Sequence, residues 1–219
     1  PGRAGAKEQR LPVFFDHVVV GVEAAVKRFE NPVIVVSGLP RSGTSMLMGM
    51  LSAGGIELVA DGIRTADEDN PKGYHELEQV KALDKPGDKA WLGDARGKAL
   101  KIISFLLQYL PDTYDYKIIF VRRRLPEVLA SQKKMLERRG ESAGGVSDDE
   151  MSRVFAAHLT KIEKVLASRK NCDVLYVEHR DTVDDPSTVA LEINDFLGGH
   201  LDTRAMTAMV DPQLYRNRI

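Results

Sequence analysis

Short runs of β-branched and aliphatic residues alternate along the chain with longer stretches whose apolar positions recur at helical spacing. Val33 to Val36 is an unbroken β-branched run, the composition of a buried strand. Similar runs predict strands at Ile56 to Val59, Lys98 to Ser104, Lys117 to Val121 and Asp173 to Glu178. Pro12 to Phe29 reads as a helix, with Pro12 near its start and Lys27 and Arg28 complementing its C-terminal dipole. Its many valines suit packing on a sheet, and an amphipathic membrane contact is the alternative. A further helical run spans Met46 to Leu51. Asp61 to Glu78 is a polar loop that ends in a helix start. Phe105 to Leu110 begins a helix that Pro111 stops. Leu125 to Arg139 has Pro126 in its first turn and Gly140 just past its end. Asp148 to Ser168 is a long amphipathic helix, and Ser187 to Leu197 is closed by Gly198-Gly199. Strands and helices in alternation, without hairpin signals, predict a parallel α/β sheet covered on both faces.

Bulk properties narrow the function classes. At 219 residues the chain is expected to form one domain over 12–219, behind a flexible leader at 1–11. Its 31 basic and 32 acidic residues give a net charge of −1, which argues against a broad nucleic-acid or membrane surface but leaves room for a local basic pocket. Cys172 stands alone, so no intrachain disulfide forms and a reducing, cytoplasmic setting is expected. No apolar run is long enough for a transmembrane helix, and the first ten residues lack a signal-peptide core.

Candidate chemistry begins after the first strand. Gly38, Pro40 and Gly43 shape a turn that leads through Thr44 and Ser45 into a helix. Strand, glycine-bearing loop and helix N-terminus together direct backbone N–H groups and a helix dipole at an anion. The frame Gly38-x-x-x-x-Gly43 is that of a Walker A loop, yet Thr44 stands where the Walker lysine belongs. The cation lies inside the loop instead, at Arg41, which speaks against ordinary ATP or GTP chemistry. The bland reading is a glycine-rich turn with no ligand. A second cluster, Arg122-Arg123-Arg124, stands at the C-terminal end of a predicted strand, where open α/β sheets bind ligands. Arginine offers a planar fork to phosphate. Ser131 follows Arg123 by eight residues, two turns along the next helix if that helix starts near Leu125.

Pro40-Arg41-Ser42-Gly43-Thr44-Ser45 resembles the 5′-phosphosulfate loop of sulfotransferases, which use 3′-phosphoadenosine 5′-phosphosulfate (PAPS) as sulfuryl donor. The resemblance implies that Arg41 touches the transferring group while Gly43, Thr44 and Ser45 hold the 5′-phosphate. The strand, Arg123 and Ser131 resemble the family's 3′-phosphate element, with Arg122 and Arg124 as neighbours that add field or point to solvent. Asn70-Pro71-Lys72-Gly73-Tyr74 with Glu76, and the stretch from Val174 through Arg216, are similar to bacterial members, so the likeness runs from about Pro32 to Arg218. The fold implied is a three-layer α/β sandwich with a central, mostly parallel sheet, P-loop NTPase-like. Two family features are missing. Lys101 matches the lysine of a Lys-x-His pair, but Ile103 stands where the histidine would be, and no late Arg-Lys-Gly run occurs. Arg216 and Arg218 are the candidates to replace that run.

Sulfuryl transfer to an alcohol needs a base for the acceptor's proton. The resemblance to carbohydrate and tyrosyl members points to a carboxylate, and Asp67, Asp69, Glu76 and Glu78 are the candidates. Glu76 is preferred because it follows the Asn-Pro-Lys-Gly-Tyr turn, and His75 is the runner-up. The expected reaction is in-line transfer from PAPS to a hydroxyl or amine of a small molecule, glycan or protein. Arg41, with Lys101 or Lys72, stabilises the leaving phosphate, and no metal is required. The rivals are a P-loop nucleotide kinase and a non-catalytic nucleotide-binding protein on the same scaffold.

Overall fold

The computed structural model describes residues 29–67, 73–141 and 145–215. The expected leader and nearly all of the expected helix from Pro12 lie outside these, as do Asp69, Lys72 and Arg216. The elements below belong to one compact unit, Asn31–Ile219.

Among the described residues five strands form one sheet. They are β1 (Val33–Gly38), β2 (Leu58–Val59), β3 (Ala99–Lys101), β4 (Tyr116–Arg122) and β5 (Cys172–Glu178). Their order is β2-β3-β1-β4-β5, and every pairing is parallel. The sheet is parallel across its named strands, as expected, with one isolated antiparallel bridge between Val33 and Arg96. Helices α1 (Thr44–Ala53), α2 (Leu125–Arg138), α3 (Asp148–Ser168), α4 (His179–Asp184), α5 (Pro186–Leu197) and α6 (Thr203–Ala208) connect and flank it.

Alternation along β1 and β4 separates two cores. Val33 and Val35, with Tyr116, Ile118 and Phe120, pack against Ile162 and Leu166 of α3. Ile34 and Val36, with Ile119 and Val121, pack against Leu47 and Leu51 of α1, Ile193 of α5 and Met206 of α6. A strand buried on both faces is the expected habit of a parallel sheet, and it explains the unbroken valine–isoleucine run. The result is a three-layer α/β sandwich.

Several predicted elements shrink. The strand expected at Ile56 to Val59 is only Leu58–Val59, and that at Lys98 to Ser104 is only Ala99–Lys101. Ile102 still donates its N–H to the Val36 carbonyl, but the chain then turns into a 3-10 segment, Ser104–Tyr109, in place of the expected helix start. The expected helix start at Glu78 is likewise a 3-10 segment, Glu78–Ala82. Apolar composition marks such short stretches as buried but does not choose between strand and tight turn. Helix α3 spans the residues expected, with Ser147 capping it through the Glu150 N–H at 3.2 Å and three acidic residues in its first turn.

Candidate active site

Register brings the two anion-binding candidates together. Gly38, the last residue of β1, pairs with Val121 of the parallel neighbour β4, so both strands end at one level. From there β1 leads towards β2 on one side and β4 towards β5 on the other. The crevice between their C-terminal ends is the switch point at which open α/β sheets bind ligands. A cavity of about 460 Å³ opens there, lined by Pro40, Arg41, Gly43, Thr44, Ser45, Lys101, Arg123 and Ser131 among others. Ser42 is buried and lies behind the loop.

The loop backbone is unusual at two points. Gly43, at φ 107°, caps α1, and a Cβ there would lie 2.5 Å from Cδ2 of His179. Arg41 has φ 71°, a left-handed conformation that costs a non-glycine residue on the order of 1 kcal/mol or more. In this conformation the Arg41 carbonyl accepts from Nη1 of Arg123 at 3.0 Å, and its own Nε donates to Oγ of Ser131 at 3.1 Å. One arginine therefore touches both halves of the site.

Arg123 is itself held from behind. Its Nε donates to Oε2 of Glu127 at 3.1 Å, both side chains are buried, and the Tyr215 hydroxyl donates to the same carboxylate at 2.8 Å. Arg122 does not share the cavity. It pairs with Glu163 at 2.7 Å and stacks over Tyr176.

Lys101 reaches the loop from β3. Its buried ammonium donates to the Tyr74 carbonyl, to Oε1 of Glu76 at 3.1 Å and to Oγ of Ser45 at 3.4 Å. A neighbouring strand thus supplies the lysine that Thr44 denies the loop itself. Burial lowers the Lys101 pKa, Glu76 works against that, and Arg64 and Arg41 add to the lowering.

Glu76 is clamped between two cations, Lys101 and Arg64, each with a nitrogen at 3.1 Å. Burial pushes its carboxyl up, but the charges and hydrogen bonds of Lys101 and Arg64 outweigh burial and hold it below the usual carboxylate range. The segment is pinned by Asp61, whose N–H donates to the Glu76 carbonyl at 3.1 Å and whose carboxylate accepts from the Glu78 N–H at 2.5 Å. Among the other base candidates, Asp67 accepts from the Tyr74 hydroxyl at 2.7 Å. Glu78 is exposed and paired with Lys81 at 2.6 Å. Neither lines the cavity, and nor does His75; Glu76 does.

The sequence did not reveal three participants. Arg64 lies 3.3 Å above the Tyr74 ring as well as on Glu76. Glu127 anchors Arg123. His179, the first residue of α4, is buried against Gly43, edge-on to Tyr215, and among the described residues Nδ1 has no hydrogen-bond partner. Burial, and then the charge of Arg123, push its pKa down to about 3.

No family model matches the sequence, and no curated protein does. Solved structures do. A Mycobacterium tuberculosis sulfotransferase superposes with a TM-score of 0.54 at 17% identity, over 85% of this chain and 74% of that one. A mouse sulfotransferase crystallised with 3′-phosphoadenosine 5′-phosphate (PAP) gives 0.51 at 16% identity, over 83% of this chain; the match spans 64% of the mouse protein, less than two thirds of it. At such identities the likeness is one of architecture, a parallel α/β sandwich of the sulfotransferase-like fold.

Proposed function

We propose that the chain is a PAPS-dependent sulfotransferase that moves a sulfuryl group to an acceptor hydroxyl or amine. One observation carries the reading: two phosphate-type elements, 41–45 and Arg123–Ser131, meet in a single cavity and are bonded to each other through Arg41. A donor with phosphates at both its 5′ and 3′ positions fits that pairing, and the mouse structure of this fold was crystallised with such a nucleotide. The cavity wall also carries buried polar atoms without a partner among the described residues, Nδ1 of His179 and Oε1 of Gln132, that a ligand can satisfy.

When bound, the donor supplies a sulfuryl group attached to a phosphate leaving group. Gly43, Thr44 and Ser45 would hold the 5′-phosphate with backbone N–H groups, hydroxyls and the α1 dipole. Arg123 and Ser131 would hold the 3′-phosphate. Arg41 and Lys101 would supply positive charge to the leaving phosphate, charge stabilisation that is already in place before reaction. Glu76, ionised and beside Lys101, takes the acceptor's proton as the acceptor atom bonds to sulfur. Lys72 and Arg216 remain candidates for the same anionic groups.

Calorimetry with PAP and adenosine 5′-phosphate tests the donor, and transfer from labelled PAPS tests the reaction. PAP should bind at least tenfold more tightly, the worth of one charged hydrogen bond of about 1.5–3 kcal/mol. Equal affinities would remove the 3′ assignment. Turnover of ATP in place of PAPS would favour a kinase.

A further inference from the structure

We infer that an anionic nucleotide enters this cavity together with one proton, and that the imidazole of His179 receives it. The choice of PAP as that nucleotide rests on the sulfuryl-transfer reading above; the proton does not. His179 stands where the two anion elements touch. On one side its ring meets the loop at Gly43, where an added Cβ would lie 2.5 Å from Cδ2 and 3.3 Å from Nε2. On the other it lies edge-on to Tyr215 at 4.9 Å, whose hydroxyl donates to the Glu127 carboxylate that holds Arg123. The residue lines the cavity and is buried, and among the described residues its Nδ1 has no hydrogen-bond partner. A buried polar atom left unpaired in the wall of a cavity is costly until a ligand or a proton changes its surroundings.

The charges around the ring decide its state. Arg123 faces it from the end of β4, the Tyr215 hydroxyl and the Glu127 carboxylate stand together on the far side, and Asp184 acts from its own helix. Asp184 is already paired with Arg180 at 3.4 Å, and the loop meets the ring through a glycine. Burial, then Arg123, therefore keep the ring neutral while the cavity holds no anion. Each phosphate of a nucleotide brings up to two negative charges. Placed against Arg123, that charge cancels the repulsion and offers the imidazolium an acceptor, and both changes favour the charged ring. The proton comes from the buffer and joins the lone pair of the unprotonated ring nitrogen, so that both nitrogens become donors. Linkage makes the effect reciprocal: a proton drawn in by the nucleotide also draws the nucleotide in, and affinity rises as pH falls.

Calorimetry of PAP binding near pH 6, in buffers of different ionisation enthalpy, counts the protons taken up per nucleotide. The phosphates of PAP titrate in the same range, so the readout is the difference between the wild type and His179→Gln. The wild type should take up about one proton more than the variant, and its affinity should gain roughly 3- to 10-fold more per unit fall in pH. The Cε1–H resonance of His179 reports the ring directly in the wild type and keeps the test decisive if His179→Gln does not fold. It should stay at the neutral position near pH 6 in free protein and move to the imidazolium position when PAP is added. Equal proton uptake by the two proteins, or a resonance that PAP leaves in place, would overturn the inference while PAP binding upholds the donor. If PAP does not bind but ATP binds and moves the resonance, the donor assignment falls and the proton stands. If neither nucleotide binds, or ATP alone binds and leaves the resonance in place, both fall.

Discussion

His179 gives a prediction whose size follows from its burial. The ring is 6% exposed, lies edge-on to Tyr215 at 4.9 Å and closes over Gly43. Its folded pKa is pushed down to about 3, against an ordinary value of 6.5. Between those values the unfolded chain binds a proton that the folded chain refuses. The stability linked to this group is therefore fully present above pH 6.5 and is lost as pH falls towards 3. At about 1.36 kcal/mol per pH unit, going from pH 7 to pH 5 removes about 2 kcal/mol, a figure that holds for any folded pKa below about 4. Urea unfolding of the wild type and of His179→Phe, each at pH 7 and pH 5, isolates this contribution, because every other titrating group cancels in the double difference. The wild type should lose about 2 kcal/mol more than the variant. Equal losses would mean that His179 ionises freely in the folded protein and is not sealed under the loop.

Arg123→Ala should destabilise the fold as well as weaken PAP binding, because it strands the Glu127 carboxylate, 2% exposed; about 3–5 kcal/mol is expected in denaturation, with recovery in the Arg123→Ala/Glu127→Gln double variant. An unchanged unfolding midpoint would show that the pair carries no structural weight. Glu76→Gln should cut turnover by roughly 10²–10⁴ with PAP affinity nearly intact. Because Lys101 and Arg64 hold the Glu76 carboxyl below the usual carboxylate range, the wild-type kcat/KM should fall only at pH values beneath that range; an acidic limb at higher pH would point to another group as the base. Gly43→Ala forces a Cβ against His179 at a backbone angle that disfavours side chains, so PAP should bind at least tenfold more weakly, about 1.4 kcal/mol or more; wild-type affinity would show that this backbone is not the anion cradle.

The long elements and the shared loop were readable because each rests on local composition. The β-branched run fixed β1, the caps and periodicity fixed α3, and the eight-residue spacing placed Ser131 facing the strand ends. What failed to show depends on contacts between distant segments. Helix α4 is six residues long and carries no periodic signal, so nothing in the sequence singles out His179. Glu127 lies four residues after Arg123, a spacing that usually marks a solvated surface pair; only the packing of Tyr215 against it shows that it is buried. Arg64 sits in a loop whose path to Glu76 is set by Asp61, and no propensity scale encodes that path. The shrunken β2 and β3 lie at or next to the sheet edge, where pairing with a short partner stops the ladder early.

The matched ends of β1 and β4 make strand length a measuring rule for the site. Arg41 and Arg123 are 82 residues apart in sequence, yet they meet because two parallel strands run side by side in one register and stop together. One residue inserted into β4 would move Arg123 by about 3.3 Å and turn it to the opposite face of the sheet. The same insertion in the loop between Asp61 and Glu78 would be absorbed locally. Indels within β1 or β4 would therefore part Arg41 from Arg123, whereas that loop can change length without disturbing their meeting.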